Sequence, residues 1–248
     1  MKFDTGSIDI MSRFLYQSEA CIVVNKLTGE AAQQAAALQA AEGARDRIVN
    51  LPEILKTHLK HNFIEAVNRL DVPVTGCSLF AMNSLSVKYL NAVFARETSD
   101  SEKERIKKIY WAVVEKPSFA LPEKGELIHW IETDTRLNKS FAHETCKDGC
   151  KKAVLKYRTA GEGKNYLFLE VNLLTGRHHQ IRSQFAASGL HIKGDLKYGA
   201  KRSEEGGGIR LHARYLSFPN PLKKDEIIHV TADPPVIDNL WEEFLHEQ

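Results

Sequence analysis

The sequence predicts an α+β fold built on a mixed, mainly antiparallel sheet with flanking helices. Three observations predict it. Short β-branched and aromatic runs outnumber the stretches with helical period. The two kinds do not alternate regularly, as a doubly wound sheet requires. The runs at 153–159 and 166–173 flank Gly161-Glu162-Gly163-Lys164, a connection of hairpin type. No repeat or low-complexity linker divides the 248 residues, so one domain is expected over 14–248 after a polar arm over 1–13. No separate N-terminal module is expected.

In chain order, Cys21-Ile22-Val23-Val24-Asn25-Lys26 reads as a strand that ends in a turn at Thr28-Gly29. Residues 30–47 are rich in Ala and Gln and nearly free of β-branching, which favours a helix. Leu51, Ile54, Leu55 and Leu59 keep helical spacing behind Asn50, a suitable N-cap. Gly76 to Met82 has the apolar run of a buried strand. From Ser84, a helical stripe of Leu85, Tyr89, Leu90, Val93 and Phe94 follows, and then a charged connector over 97–107. Lys108 to Val114 is a strand stopped by Lys116-Pro117. His178 to Ser188 suits a helix, with Ile181 and Phe185 four apart and Gly189 as its stop. Gly206-Gly207-Gly208 reads as a loop, Leu211 to Phe218 as a strand and Val236 to Leu245 as a closing helix.

Hydrophobic residues are 43% and charged residues 27% of the chain, ordinary for a globular protein. No apolar run approaches the ~18 residues of a membrane span, and the opening Met1-Lys2-Phe3-Asp4 has no signal-type apolar segment. Cys21, Cys77, Cys146 and Cys150 are too scattered for a disulfide scaffold, so a reducing, cytoplasmic setting is expected. The net charge of +2 announces no polyanion partner. Local basic runs do exist: Lys103, Arg105, Lys107 and Lys108; Lys147, Lys151, Lys152, Lys156 and Arg158; Lys197, Lys201, Arg202 and Arg210. Sharing a face they would track phosphates; separately they are a solvated surface.

Two segments place an ionisable group inside an apolar, glycine-bearing run, where charge needs a partner. Asn68-Arg69-Leu70-Asp71-Val72-Pro73-Val74-Thr75-Gly76 offers a carboxylate, and Thr175-Gly176-Arg177-His178-His179-Gln180-Ile181-Arg182 a guanidinium. The economical inference is that they meet, since an Asp held by an Arg stays ionised, as a nucleophile must. Taken singly, Asp71 is a turn former beside proline, Arg182 a surface side chain over apolar neighbours, and Tyr110 a core ring. A metal reading of His178, His179, His191 and His212 is weak, because adjacent helical histidines diverge by about 100°. Cys146-x-x-x-Cys150 lacks a matching second half, so zinc is not expected. No glycine pattern cradles a nucleotide. Neither a metal nor a cofactor is indicated.

The order of these segments resembles the RluA-type pseudouridine synthase family. The family's His-Arg-Leu-Asp run with Thr/Ser-Gly is matched by Asn68 to Asp71 with Thr75-Gly76, and its Lys-x-Tyr strand by Lys108-Ile109-Tyr110. Gly176 to Arg182 matches Gly-Arg-x-His-Gln-Ile-Arg, and Gly194-Asp195-Leu196-Lys197-Tyr198-Gly199 matches Gly-Asp-x-x-Tyr-Gly. Leu211-His212-Ala213 and Val24-Asn25-Lys26 complete the series, which spans about 14–235. The resemblance implies a central sheet with an active-site cleft and cofactor-free isomerisation of uridine to pseudouridine in structured rRNA or tRNA. It implies Asp71 as nucleophile, Tyr110 as the aromatic against the base, and Arg182 as partner of the aspartate. Arg69, Thr75, Gly76, Arg177, His179, Gln180, Leu211 and His212 are then the substrate-binding set. Nothing calls for more than a monomer or for an obligate protein partner.

Four departures stand out: Asn68 for His, Leu27 for Pro, Gln184 near a usual His, and the Ala-rich stretch 31–45. They motivate a second expectation, a non-catalytic RNA-binding protein on the same scaffold. A metal-dependent hydrolase built from the histidines is a distant third.

Overall fold

The structure, a computed structural model, describes residues 9–33, 49–95, 106–223 and 225–244. In chain order its strands and α-helices are β1 (Phe14–Gln17), β2 (Cys21–Lys26), β3 (Glu30–Ala31), β4 (Val49–Asn50), α1 (Leu51–Leu59), β5 (Glu65–Ala66), β6 (Thr75–Ala81), α2 (Ser84–Ala95) and β7 (Lys107–Glu115). They continue with β8 (Lys124–Asp134), β9 (Lys139–His143), β10 (Lys151–Glu162), β11 (Tyr166–Leu173), α3 (Gln180–Ala187), β12 (Leu211–Pro219), β13 (Ile227–Thr231) and α4 (Asn239–Glu242). Of the strand pairs whose register is described, β3/β4 is parallel and the others are antiparallel, in keeping with an α+β fold. No described helix is long and apolar enough to cross a membrane. The chain forms two compact units. One holds 1–106, 206–208 and 213–235; the other holds 107–205, 209–212 and 236–248.

In the first unit the strand order is β1-β2-β6-β12, with β5 on β6 and β13 on β12. Both faces of β2 and β6 are covered, which is why their sequences are nearly continuous in apolar residues instead of alternating. Cys21, Val23, Cys77 and Leu79 turn to one face, where Leu90 of α2 and Phe218 of β12 pack. Ile22, Val24 and Phe80 turn to the other, under Leu51 and Leu55 of α1. The Asn50 side chain accepts the Glu53 N–H at 3.4 Å and opens α1, and Lys60 closes it with φ +51°. Leu85 does not join the α2 stripe; it is 80% exposed. The helix expected over 30–47 is overturned at its start: Glu30 and Ala31 are a strand. The reason is a tertiary one, because the Glu30 carboxylate binds Arg13 through both oxygens at 2.9 and 2.6 Å and accepts the Leu27 N–H. Residues 34–47 of that stretch, and most of the connector over 97–107, lie outside the described residues.

In the second unit the order is β7-β11-β10-β8-β9. The hairpin β10/β11 is as expected, whereas β8 and β9 are additions to the sequence reading. Trp111 of β7 stacks on Phe244 at 4.7 Å, with Phe168 edge-on to the same ring. The closing helix is reduced to Asn239–Glu242. Asp238 ends the extended approach by accepting from the Leu240 and Trp241 amides and holding Arg210. Helix α3 begins later than expected, at Gln180, because His179 takes φ +49°.

Candidate active site

Asp71 opens a tight turn in the first unit: its carbonyl accepts the Val74 N–H at 3.0 Å. A buried ammonium holds that turn. Lys26, at the end of β2 and 0% exposed, donates from Nζ to the carbonyls of Leu27 (2.9 Å), Val72 (3.1 Å) and Val74 (2.6 Å). The Gly29 N–H reaches Val72 O at 3.0 Å, and Thr28 Oγ1 lies 3.5 Å from Pro73 O. Burial pushes Lys26 down to about 7, against the upward pull of the Glu30 and Asp71 charges. The Asp71 backbone is therefore fixed from within while its side chain is half-buried.

The residues on either side of Asp71 tie it to β6. Asn68 Nδ2 donates to Cys77 O at 3.1 Å, and Asn68 Oδ1 accepts the Leu79 N–H at 2.6 Å. One amide thus acts as a strand residue would, satisfying two main-chain groups of β6. Gly76 has φ +111°, and a Cβ there would stand 2.3 Å from Ala213 O. Only glycine allows that approach. Thr75 starts β6, and Arg69 is exposed beside the turn.

Arg182 lies in the second unit on α3 and is 5% exposed, so it is not a surface side chain. Its Nε donates to Asp195 Oδ2 at 2.7 Å and its Nη2 to Asp195 Oδ1 at 2.8 Å, a two-point grip that fixes the guanidinium plane. The Tyr198 ring sits 4.9 Å from its central carbon. Tyr198 in turn accepts the Ser140 N–H at 2.8 Å, with His179 Nδ1 2.9 Å from its hydroxyl. Asp195 and Tyr198 are neighbours of Arg182 to which sequence reasoning gave no role. The available signal was the Gly194–Gly199 motif together with the need of a buried guanidinium for a carboxylate.

Around α3 the remaining residues are placed individually. Gln180 Oε1 accepts from Thr175 Oγ1 (2.8 Å) and the Arg177 N–H (2.9 Å), and its Nε2 donates to Val154 O. It clasps the loop that carries Arg177. Gln184 Nε2 lies 3.1 Å from His129 Nδ1, and burial lowers the His129 pKa, which favours the neutral ring. The rings of His178 and His179 stack at 3.9 Å, a correction to the expected divergence, because neither lies inside the helix. Tyr110 and Trp111 are adjacent on β7 and turn to opposite faces; both are buried. Lys108, on the Tyr110 face, is pushed down to about 8 by burial and then by the Arg177 charge. Leu211 and His212 are core residues, 3% and 0% exposed, with the His212 ring 6.0 Å from Trp241.

The first unit thus offers a rigidly displayed carboxylate, and the second, by itself, an oriented guanidinium and two close cations, Lys108 and Arg177. Comparison with known proteins bears on what these can do. A family model described as RNA pseudouridylate synthase matches residues 20–187. The tRNA pseudouridine synthase C of Haemophilus ducreyi is 27% identical over 241 residues, 92% of each chain. An uncharacterized RNA pseudouridine synthase of Chloroflexus aurantiacus is 33% identical over 157 residues, 62% of this chain and 45% of its own length. The human RNA pseudouridylate synthase domain containing 1 has a similar fold, with a TM-score of 0.67, 20% identity, and coverage of 90% of this chain and 84% of its own.

Proposed function

Because this chain belongs to the RluA-type RNA pseudouridylate synthase family, we propose that it isomerises specific uridines of structured RNA to pseudouridine, with Asp71 as the nucleophile. Membership makes it an enzyme, an isomerase. In the proposed reaction the Asp71 carboxylate assists departure of uracil from the ribose. The base turns, the new bond forms to carbon 5, and the hydrogen there leaves to solvent. Tyr110 packs against the extruded base, and Arg182, oriented by Asp195, partners the aspartate. Lys108 and Arg177 meet backbone phosphates, and Arg69 helps hold the flipped nucleotide. The reaction needs no cofactor, and the setting is cytoplasmic.

The observation that carries this reading is the clamp on the Asp71 turn, in which a fully buried lysine serves three carbonyls around one carboxylate. The Asn68 bonds support it as well, since the departure from His leaves that clamp and β6 joined. Transfer RNA is the favoured target, supported by the near full-length match to a tRNA-modifying relative. The test is tritium release from tRNA and rRNA labelled at uridine C5, for wild type and Asp71→Asn. Release by wild type alone supports the reading. Release by both removes Asp71 from its role, and release by neither favours the RNA-binding alternative.

A further inference from the structure

Three potential metal ligands converge on one face of the β10-β8-β9 strands. Trp130 pairs with His143, and Glu132 with Phe141, so Glu132 and His143 are diagonal neighbours on the same face. On the other flank Lys151 pairs with Ile131, which brings Cys150, one residue earlier, level with Glu132. Their ligand atoms all lie within 4.8 Å of one another, and His143 Nε2 is 3.0 Å from Glu132 Oε2. Gly149, at φ +80°, and the Cys150 N–H to Lys147 O bond (3.1 Å) form the turn that delivers the thiol.

We propose that Glu132, His143 and Cys150 form a binding site for a thiophilic divalent cation of the zinc class. One carboxylate, one imidazole and one thiolate are the mixed donors zinc accepts in tetrahedral sites, with bond lengths of about 2.0–2.3 Å. Such bonds set ligand atoms roughly 3.3–3.7 Å apart, so the cluster needs only a small contraction. Water fills the fourth position. On binding, the Cys150 thiol loses its proton to solvent, and the imidazole proton sits on Nδ1 while Nε2 takes the metal. Two anionic ligands then balance the cation. Lys147 opposes this step: its Nζ lies 3.3 Å from His143 Nδ1 and must swing outward, which an exposed lysine can do. The site joins three strands at one level, so the occupied state ties β9 to the start of β10. Cys146, exposed four residues before Cys150, is not one of the three.

The reduced full chain is titrated with cobalt(II), watching the thiolate charge-transfer band, and then with zinc. One equivalent of cobalt with that band, displaced by zinc, is expected. Cys150→Ser should erase the band, while His143→Ala and Glu132→Ala should each weaken binding at least about tenfold. Lys147→Gln should tighten it several-fold, and Cys146→Ser should leave it in place. All these side chains are exposed or half-buried, so the variants fold, and tritium release serves as an independent check of integrity. Absence of the band, or its survival in Cys150→Ser, overturns the site.

Discussion

Arg182 and Lys26 are the two residues whose burial most constrains the chemistry. The Arg182–Asp195 pair has side chains 6% and 2% exposed, so removing one partner strands a charge. Arg182→Met is expected to cost about 3–5 kcal/mol of stability in urea unfolding. Adding Asp195→Leu should return most of that loss while tritium release stays absent, because two apolar residues can replace a buried pair but cannot orient a carboxylate. Lys26 gives a pH signature. Between about 7 and its ordinary 10.5, the unfolded chain carries a proton that the folded chain has shed. Stability therefore rises with pH across that window, and the penalty of the buried charge is fully present below it. Lys26→Met should lack this rise; parallel stability curves for the two proteins would refute the assignment. Neither role was legible in the sequence. A lysine at the end of a strand reads as a surface residue by default, and the spacing from Arg182 to Asp195 does not say that the two segments meet. The Gly194–Gly199 motif was visible, but its function needed the fold.

Elements were legible where local preference and tertiary packing agree. Helix α1 has its cap and its apolar spacing in the sequence, though not its stop at Lys60, and β2, β6 and β7 have long apolar runs. Strands β8 and β9 escaped because only one face of each is covered, and that face includes His129 and Ser140 instead of aliphatic residues. At Glu30 the Arg13 partner overrides helix propensity, and at Asp238 the Arg210 partner holds the approach to α4 extended. The Asn68 link between the Asp71 turn and β6 makes a prediction at this scale. Asn68→Ala leaves the Leu79 N–H and Cys77 C=O without their partner, which should cost about 1–3 kcal/mol. It should reduce turnover more than RNA affinity, as read from thermal melting beside single-turnover kinetics. Asn68→His, if its ring makes only one of the two bonds, should fall between.

For the whole molecule, a net charge of +2 left open whether the basic runs meet RNA. Part of that charge is already matched at home. Arg158 pairs with Glu170 at 2.9 Å, Lys156 with Glu126 at 3.9 Å, and Arg210 with Glu204 and Asp238. Lys108 is held down by burial and then by the Arg177 charge, the condition in which an incoming phosphate gains most. Neutralising both, as Lys108→Met with Arg177→Gln, should flatten the salt dependence of RNA binding by roughly 1.4 in the log–log slope, about 0.7 for each lost single-strand phosphate contact. An unchanged slope would place the RNA elsewhere.

Strand β12 contributes residues 211 and 212 to one unit and the remainder to the other, and the second unit also draws on 236–248. Neither unit is a contiguous stretch of chain. During synthesis the Asp71 turn emerges early, yet Ala213, which Gly76 abuts, follows more than a hundred residues later, and Trp241 and Phe244 later still. The nascent protein must therefore keep half-built sheets from pairing wrongly until its last strands and helix leave the ribosome. Cutting the gene between residues 106 and 107 would leave the first fragment without 213–235, and so without Leu216 and Phe218 of its core, while the second fragment would carry that segment with nothing of its own unit to pack on.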